Sequence, residues 1–496
     1  MAWFYAFLVV LGTFLAVLGI TSTNVAIPKM IAPLQTDIYG IEWVPISYIV
    51  ATAITIIVFN AISARVGLKN TYIIGLALFS IGSALSGQAS TLEEMIVFRF
   101  LQGMGEGLLI PSSQSILFSL FPPEKRGTAM GFYAMAVAFA PGLGPTVGGY
   151  MVEYFSWRWI FYINVPVVVI LLPVAYFMLP EIGYRAKPPL NLLSFLALSV
   201  SSIAFIVFLS KGESWGWFYS TKTFLAFFTS VFFLLIFALS ELTSKNTLID
   251  YSIFKEPNYL YAIITFVTIY GFVFFQIIYL MPIYFESLRL VPTFQTGLTF
   301  LGYAFLLALF ALIGGRLSDR LEPKLLLLVS QSILFLTLSV FLSHIDYYTP
   351  RWKVATYMCF IGMAMGFFFA PLTALAFKSL KPHQIPIGTA LYNYARLMGA
   401  SIATSIATYT LETGRAFHFD EINGIRSVLT SEYLVSFMQR ISGLNAFRYK
   451  VTIGQFQDLL AGIYAVQDAL RTASYICLAS ILLTVTFLFI TNKKSE

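Results

Sequence analysis

Charged side chains are scarce in this 496-residue chain. They make up 11% of it, whereas about a quarter of the residues of a soluble domain are charged. The chain is 58% hydrophobic and its mean hydropathy is +0.81. This composition excludes an ordinary soluble protein and indicates a polytopic membrane protein. The apolar blocks are long enough for helices that cross a hydrocarbon core of about 30 Å, whereas barrel strands would be half that length.

Other common features are also missing. The chain has two cysteines, Cys359 and Cys477; both fall in predicted membrane spans, so we expect neither a disulfide nor a metal site. There is no phosphate-binding loop of the Gly-x-x-x-x-Gly-Lys type, so ATP is not the direct energy source. The first apolar block lacks a basic leader and a cleavage site, and we interpret it as a membrane span instead of a signal peptide.

The apolar blocks predict fourteen membrane-spanning helices. Lys and Arg are more frequent in alternate connections, which places both termini in the cytoplasm. This bias and anionic lipid explain the net charge of +7, so no nucleic-acid partner is expected. The predicted spans are 5–27, 43–63, 71–89, 92–118, 128–152, 158–179, 192–210, 222–243, 259–282, 292–315, 324–343, 352–377, 386–411 and 469–491. The cytoplasmic basic residues include Arg65, Lys69, Lys125, Arg126, Arg185, Lys187, Lys378, Lys381, Lys493 and Lys494.

The chain also repeats itself. The segment 60–69 aligns with 315–324, and Gly127-Thr-Ala-Met-Gly-Phe-Tyr-Ala134 aligns with Gly388-Thr-Ala-Leu-Tyr-Asn-Tyr-Ala395. Internal repeats of this kind are how transporters build a site that opens alternately to the two sides. We therefore predict a six-helix bundle at 1–180, two inserted helices at 181–258 and a second bundle at 259–496.

Three motifs point to one family. The fourth span contains Arg99, Gln102 and Gly103 in the pattern Arg-x-x-Gln-Gly. The fifth contains Ala140-Pro-Gly-Leu-Gly-Pro-Thr-Val-Gly-Gly149, and both loops at 60–69 and 315–324 follow the pattern Gly-x-Leu-Ala-Asp-Arg-x-Gly-Arg-Lys, the first in degraded form. With these motifs the chain resembles the major facilitator superfamily, within it the fourteen-helix drug/proton antiporters of the EmrB/QacA type, and most closely the EmrB-like component of tripartite pumps.

The resemblance implies an all-α major facilitator fold and a proton-coupled multidrug efflux antiporter of the bacterial inner membrane. Such a protein is a secondary active transporter, not an enzyme, and needs no cofactor besides the proton gradient. A specific metabolite exporter or an uptake symporter shares the fold and stays open. A non-transporting sensor is the third class, and it would not need charges near the membrane midplane.

Two sets of motif residues are candidate moving parts. Gly144, Pro145, Gly148 and Gly149 form a small-residue strip that permits close approach of backbones, either in ordinary packing or as a bendable seam between the bundles. The second set lies in cytoplasmic loops and consists of Arg65, Gly67, Asp319 and Arg320. These residues are interpreted as a latch at the cytoplasmic face or as simple topology determinants.

Glu106 is the candidate proton carrier. Arg99 and Glu106 lie seven residues apart on one face of a predicted span, and ionisable groups inside a membrane mark transport or proton pathways by default. The first span reads Leu18-Gly-Ile-Thr-Ser-Thr-Asn24, with Gly19 where the family pattern has an aspartate. Since that acid is absent, we expect Glu106 to carry the proton and Arg99 to tune it; a static buried ion pair is the alternative.

Substrate contacts are predicted only coarsely. Aromatic residues make up 17% of the chain, and some of them are expected to line an apolar cavity for bulky lipophilic compounds, neutral or weakly acidic. The sparse polar contacts are predicted to be Asn24, Gln114, Gln276, Asn393 and Arg396. Arg396 has three interpretations: it balances a carboxylate, it contacts an anionic substrate, or it packs against backbone carbonyls.

One long outer segment remains, at 412–468. Its spaced apolar residues, from Tyr433 and Phe437 to Phe456 and Ile463, are typical of amphipathic helices. The resemblance implies docking to a periplasmic membrane-fusion adaptor and an outer-membrane channel. A lid over the outer vestibule and a tolerated insertion are the alternatives.

Overall fold

The computed structural model describes residues 1–182, 190–429 and 446–492, and within these ranges it contains no β-strand. Fourteen long helices follow one another, which we number α1 to α14. They are Ala2–Met30, Trp43–Val66, Leu68–Gln88, Leu92–Leu120, Arg126–Tyr154, Trp159–Met178, Leu192–Trp215, Thr221–Thr243, Pro257–Leu288, Thr293–Ser318, Pro323–His344, Arg351–Lys378, Ile385–Leu429 and Ala446–Asn492.

In the described residues, twelve helices are long and apolar enough to cross a membrane. The protein is therefore a multi-pass membrane protein. The other two long helices, α4 and α13, exceed the roughly 20 residues needed and carry more polar side chains, among them Arg99, Glu106 and Arg396. Fourteen spans thus stays a prediction that fits this set of helices.

Local sequence signals account for the helix ends around α4. Thr91 accepts a hydrogen bond from the Glu94 amide (3.3 Å), and Glu94 Oε2 accepts one from the Ser90 amide (2.8 Å), as in a capping box. Gly67, between α2 and α3, has φ +88° and ψ 157°, a conformation open to glycine because it has no Cβ. These signals mark the break between α2 and α3 and the start of α4, the helix that carries the buried charges Arg99 and Glu106.

Two seams join the N-terminal half, α1 to α6, to the C-terminal half, α9 to α14. Along one seam α5 packs on α10, and along the other α2 and α4 pack on α13. The inserted helix α7 lies against both α2 and α13, and Ser202 on α7 hydrogen-bonds the Tyr394 hydroxyl (2.6 Å). The inserted helix α7 therefore covers the second seam, and α8 packs on α7. The division into 1–180, 181–258 and 259–496 stays a prediction.

Helix α9 is not a regular α-helix. Its segments Phe266–Phe274 and Ile283–Leu288 are π-helical, and π-helical turns are frequent at functional sites. The first of these segments lies beside the seam between α4, α5 and α13, where it contributes three aromatic rings to the central cavity.

The last two helices continue far beyond their predicted spans. Helix α13 has 45 residues and α14 has 47, about 70 Å each at 1.5 Å per residue. Arg415 Nε donates to Asp458 Oδ1 (2.9 Å), and Gln457 Nε2 donates to the Phe419 carbonyl (2.7 Å). The outer segment is thus helical on both sides. Several sequence-based predictions lie outside the described residues: Arg185, Lys187, Tyr433, Phe437, Lys493 and Lys494.

Candidate functional site

A cavity lies between the two halves. The N-terminal half contributes α4 and α5 to its wall, and the C-terminal half contributes α9, α12 and α13. The cavity is small, about 40 Å³. Small-molecule sites typically have about 300–1,000 Å³, so the two halves are nearly closed around it in this conformation and a drug-sized ligand requires them to separate.

Aromatic rings form most of the cavity wall. Phe266, Tyr270 and Phe274 stack along α9, with ring centroids 4.8 Å and 5.1 Å apart. Because π-helical hydrogen bonds span five residues instead of four, residues four apart stay in line over two turns. Tyr392 on α13 extends the stack onto Phe266 (4.1 Å), and Phe369 on α12 meets Tyr270 edge-on (4.8 Å, 73°). These rings offer flat apolar surfaces to a planar ligand.

The polar groups of the cavity come from facing halves. Asn393 Nδ2 donates to Gln114 Oε1 (2.6 Å) across the seam, and one turn further Ser115 and Thr389 share a hydrogen bond (2.8 Å). Arg396 lies close to Tyr270, and its Nε is buried without a hydrogen-bond partner in the described structure. The cavity therefore combines apolar walls with one guanidinium group.

Glu106 lies behind this cavity wall on α4 and is 2% exposed. Its Oε2 accepts a hydrogen bond from Thr52 Oγ1 (3.1 Å) on α2, and the Tyr48 hydroxyl lies next to it. Two arginines lie near enough to attract this carboxylate, Arg396 from α13 of the other half and Arg99 from α4 itself. The buried acid of one half therefore faces a cation of the other half.

Arg99 does not form an ion pair with Glu106. Its Nη1 donates to Gln102 Oε1 (2.8 Å), and its guanidinium group lies over the ring of Tyr48 (4.2 Å). Seven residues of helix rise place the two charges roughly 10 Å apart along the axis. The alternative of a static buried ion pair is therefore wrong, although both side chains face Tyr48 as their spacing predicted.

Two of the predicted substrate contacts lie elsewhere. Asn24 is exposed on α1 and is not part of the cavity wall. Gln276 is buried on α9, but its Nε2 donates to the Ala469 carbonyl of α14 (3.2 Å), so it holds two helices together. Gln114, Asn393 and Arg396 do line the cavity. The sequence predicts that a polar residue in a span has a polar partner, but it does not show whether that partner lies in the cavity or on a neighbouring helix.

At the end of the bundle that the sequence predicts to be cytoplasmic, Asp319 joins the two halves. Its Oδ1 accepts from the Gly127 amide (2.7 Å), and its Oδ2 accepts from the amide (2.9 Å) and hydroxyl of Thr128. A carboxylate at a helix N-terminus satisfies free amides and interacts favourably with the helix dipole. Asp319 therefore contacts a helix end of the other half, which is the kind of contact that a latch requires. Arg65 and Arg320 are exposed.

The glycine strip of α5 faces two different helices. A Cβ added to Gly144 would lie 2.0 Å from Thr21 Oγ1 of α1, and one on Gly148 would lie 2.9 Å from the Ser22 carbonyl oxygen. These two glycines therefore pack within one half, and the interpretation of the strip as a seam between bundles is wrong for them. Gly142 takes that place, since its Cβ would lie 2.1 Å from Ala304 Cβ of α10.

The other strip residues are less constrained. A Cβ on Gly149 would meet nothing nearer than 3.9 Å, and the side chain of Pro145 is outside the described part. The dry contact between halves is extended instead by glycines at the cytoplasmic end, where a Cβ on Gly131 would lie 2.6 Å from the Ala311 carbonyl oxygen.

Comparisons with known proteins agree with this architecture. The sequence profile of the Major Facilitator Superfamily matches residues 9–404. The chain belongs to this superfamily. It is 32% identical to the probable multidrug resistance protein EmrY of Escherichia coli, over 81% of this chain and 78% of EmrY. It is 30% identical to the multidrug export protein EmrB of Haemophilus influenzae, over 83% and 81%.

Solved structures share the fold. The human organic anion transporter MFSD10 superposes with a TM-score of 0.62 at 12% identity, over 97% of this chain and 98% of that one. The proton:xylose symporter XylE superposes with a TM-score of 0.56 at 15% identity, over 94% and 96%. This chain is thus a transporter of the major facilitator fold.

Sequence reasoning missed the tyrosines and threonines of this transporter's site. Tyr48 and Thr52 contact Glu106, and Tyr133 and Tyr392 line the cavity. In an apolar span these residues look like ordinary helix-packing side chains. The four-residue spacing of Tyr48 and Thr52, which puts both on one helix face, was the one available signal.

Proposed function

We propose that this transporter is a proton-coupled multidrug efflux antiporter that exports lipophilic, largely aromatic compounds by alternating access. The observation that carries the proposal is the aromatic cavity between the halves with the buried acid Glu106 directly behind its wall. The relatives named as multidrug proteins support the substrate class. The protein acts as a transporter and not as an enzyme, uses no cofactor, and lies in the bacterial inner membrane with both termini in the cytoplasm.

The proposed coupling works through charge across the polar seam. Deprotonated Glu106 on α4 attracts Arg396 on α13 and so holds the two halves together at mid-membrane. Protonation removes this attraction, which matters in a low-dielectric interior where charges are poorly screened. A proton that enters from one side therefore releases the seam so that the halves can reorient, and the substrate leaves in the opposite direction.

The test uses the purified protein in proteoliposomes with an imposed pH gradient and a panel of lipophilic aromatic drugs. Wild-type protein should move drug against the proton flux, and Glu106→Gln should abolish gradient-driven transport while drug binding stays measurable. Glu93→Gln is the matched control, because Glu93 is exposed at the start of the same helix. Gradient-driven antiport that survives in Glu106→Gln would refute the role of Glu106, and transport in the direction of the protons would favour a symporter.

The outer extensions of α13 and α14 support a further part of the proposal. Both helices run well past the length a bilayer requires, and Arg415 and Asp458 tie them together outside the hydrocarbon region. We infer that the segment 412–468 docks a periplasmic membrane-fusion adaptor, which passes substrate to an outer-membrane channel. Deletion of 415–465 should abolish co-purification with such an adaptor and leave transport in proteoliposomes intact. Loss of both activities would instead favour a lid.

A further inference from the structure

Lys211 is a buried cation that the proposed coupling mechanism does not use. It lies near the end of the inserted helix α7 that the sequence predicts to face outward, and it is 1% exposed. Ionisable groups within membrane-spanning helices are costly and indicate function by default. Since a plain arrangement of two six-helix bundles has no inserted helices, the partners of Lys211 indicate what these helices do.

Every partner that the described structure gives to this ammonium group belongs to the N-terminal half. Lys211 Nζ donates to the Tyr39 carbonyl (2.5 Å) and to Glu42 Oε2, and it lies over the ring of Trp43 (5.5 Å). An ammonium group has three donor hydrogens, and its three neighbours here come from one short segment at the start of α2. Loss of one partner would leave the other charge uncompensated, so this contact is costly to break.

Apolar packing joins α7 to the same half. Ile206 of α7 is fully buried in a cluster with Ile46 and Val50 of α2. From α13 of the other half, Leu397 and Met398 contact this cluster but are only partly buried. The well-packed side of α7 therefore faces α2.

The contact of the inserted helices with the C-terminal half is more open. A groove of about 680 Å³ lies between the loop after α7 and α13, with Trp217 on one side and Ser405 and Tyr409 on the other. The rings of Trp217 and Tyr409 meet edge to face (6.1 Å, 88°), and further along α7 Ser202 shares a hydrogen bond with Tyr394 (2.6 Å). Close packing resists relative motion, so this open interface is the one suited to change between conformations.

We propose that α7 and α8 form one moving body with the N-terminal half, anchored by Lys211, and that the C-terminal half moves against them along this groove. Helix α8 belongs to the same body because Ser201 of α7 donates to the Ser230 carbonyl of α8 (2.8 Å). The proposal rests on the alternating access proposed above, but on neither the proton nor the substrate. The moving boundary then lies between α7 and α13, where the contact of Ser202 with Tyr394 opens and closes in each cycle.

Reversible tethers at the same end of α7 test this assignment. The first joins α7 to the N-terminal half through Trp43→Cys and Lys211→Cys, and the second joins the loop after α7 to the C-terminal half through Trp217→Cys and Tyr409→Cys. Both native cysteines are replaced by serine, the tether is a short bis-methanethiosulfonate reagent, and intact mass measures the extent of reaction. Drug transport in proteoliposomes should stop with the second tether and return after reduction, whereas the first tether should leave transport intact.

A direct tether between the halves separates this assignment from alternating access itself. Ser115→Cys and Thr389→Cys replace two hydroxyls that hydrogen-bond across the seam (2.8 Å), and joining them should block transport. Transport that survives this third tether would refute alternating access and the assignment with it. When the third tether blocks transport, activity that survives the second tether would overturn the assignment alone, and so would activity lost with the first.

Variants of Lys211 test the anchor without a transport assay. Spin labels on Tyr39→Cys and Phe218→Cys, two exposed positions, should give a broader distance distribution in Lys211→Met than with native Lys211, because the end of α7 loses its ion pair. Lys211→Arg should restore the narrow distribution, since a guanidinium group donates to the same oxygens. Lys222→Met is the control, because Lys222 is exposed. An unchanged distribution in Lys211→Met, or equal broadening in Lys222→Met, would overturn Lys211 as the anchor.

Discussion

Asp319→Asn isolates one contact that holds the cytoplasmic face closed. In the wild type, both carboxylate oxygens accept hydrogen bonds from the first residues of α5 in the other half. Asparagine keeps one acceptor, loses the charge and turns an amide group toward a backbone N–H. The variant should therefore retain the fold and shift the equilibrium toward a conformation that is open to the cytoplasm.

The magnitude follows from the two lost interactions. A hydrogen bond to a charged group contributes about 1.5–3 kcal/mol, and a charge at a helix end about 0.3–1 kcal/mol. Asp319 is only partly buried, so we take a total near the lower end, about 1.5–2 kcal/mol. At about 1.4 kcal/mol for each factor of ten, the ratio of closed to open protein should fall roughly 10- to 30-fold.

Electron–electron distance measurements between spin labels on Lys125 and Lys378 provide the assay. Both side chains are exposed at the cytoplasmic end, one just before α5 and the other at the end of α12, so their separation reports the opening between the halves. Arg320→Gln is the control, because Arg320 is the exposed neighbour of Asp319. An unchanged distance distribution in Asp319→Asn, or an equal change in Arg320→Gln, would show that the carboxylate is not a latch.

Two further predictions test the other contacts between helices. Gly142→Ala should impair transport, because the added methyl group would collide with Ala304 and keep α5 and α10 from packing closely. Gly149→Ala is the control and should be tolerated. Retained transport in Gly142→Ala would refute the requirement for close packing at this seam. Burial lowers the pKa of His418, but its hydrogen bonds to Asp468 and Glu421 outweigh this and raise it above its usual value of about 6.5. The ion pair between His418 on α13 and Asp468 on α14 is therefore fully formed at lower pH and weakens as the pH rises through the raised pKa of His418. Hydrogen exchange at 412–422 should become faster over this pH range in the wild type but not in His418→Gln.

The membrane made most of the fold predictable. Each predicted span lies in or close to one helix, because only a long apolar helix satisfies its backbone inside a bilayer. The same reasoning misplaced the outer ends of α13 and α14, since in water a helix needs no apolar run and its end is not marked by hydropathy. The π-helical turns of α9 were also not predicted, because hydropathy and composition carry no signal that separates a π-helical turn from an α-helical one.

The site was less predictable than the fold. Glu106 was identified because a lone acid in a span is costly and therefore conspicuous. Tyr48 was not, because only the packing of α2 on α4 brings it to Glu106. Arg396 was noticed for its charge, and balancing a carboxylate was one of its three interpretations, but the sequence did not show that this carboxylate is Glu106. Gln276 shows the opposite kind of error. It was predicted to contact substrate because a polar side chain in a span is costly, yet it hydrogen-bonds the Ala469 carbonyl and joins α9 to α14.

The two seams between the halves differ in chemistry, and this difference suggests a division of labour. Along its length the seam of α5 and α10 brings backbones together at small residues such as Gly131 and Gly142, and the Asp319 carboxylate lies at one end of it. The seam of α2, α4 and α13 contains Glu106 and the cavity arginine Arg396. A dry seam with close backbone contacts has few stable arrangements, because packed interiors do not deform continuously. If Glu106 carries the proton as we propose, the energy of the polar seam changes with its protonation, and the charge state of the second seam then selects among the few arrangements that the first permits.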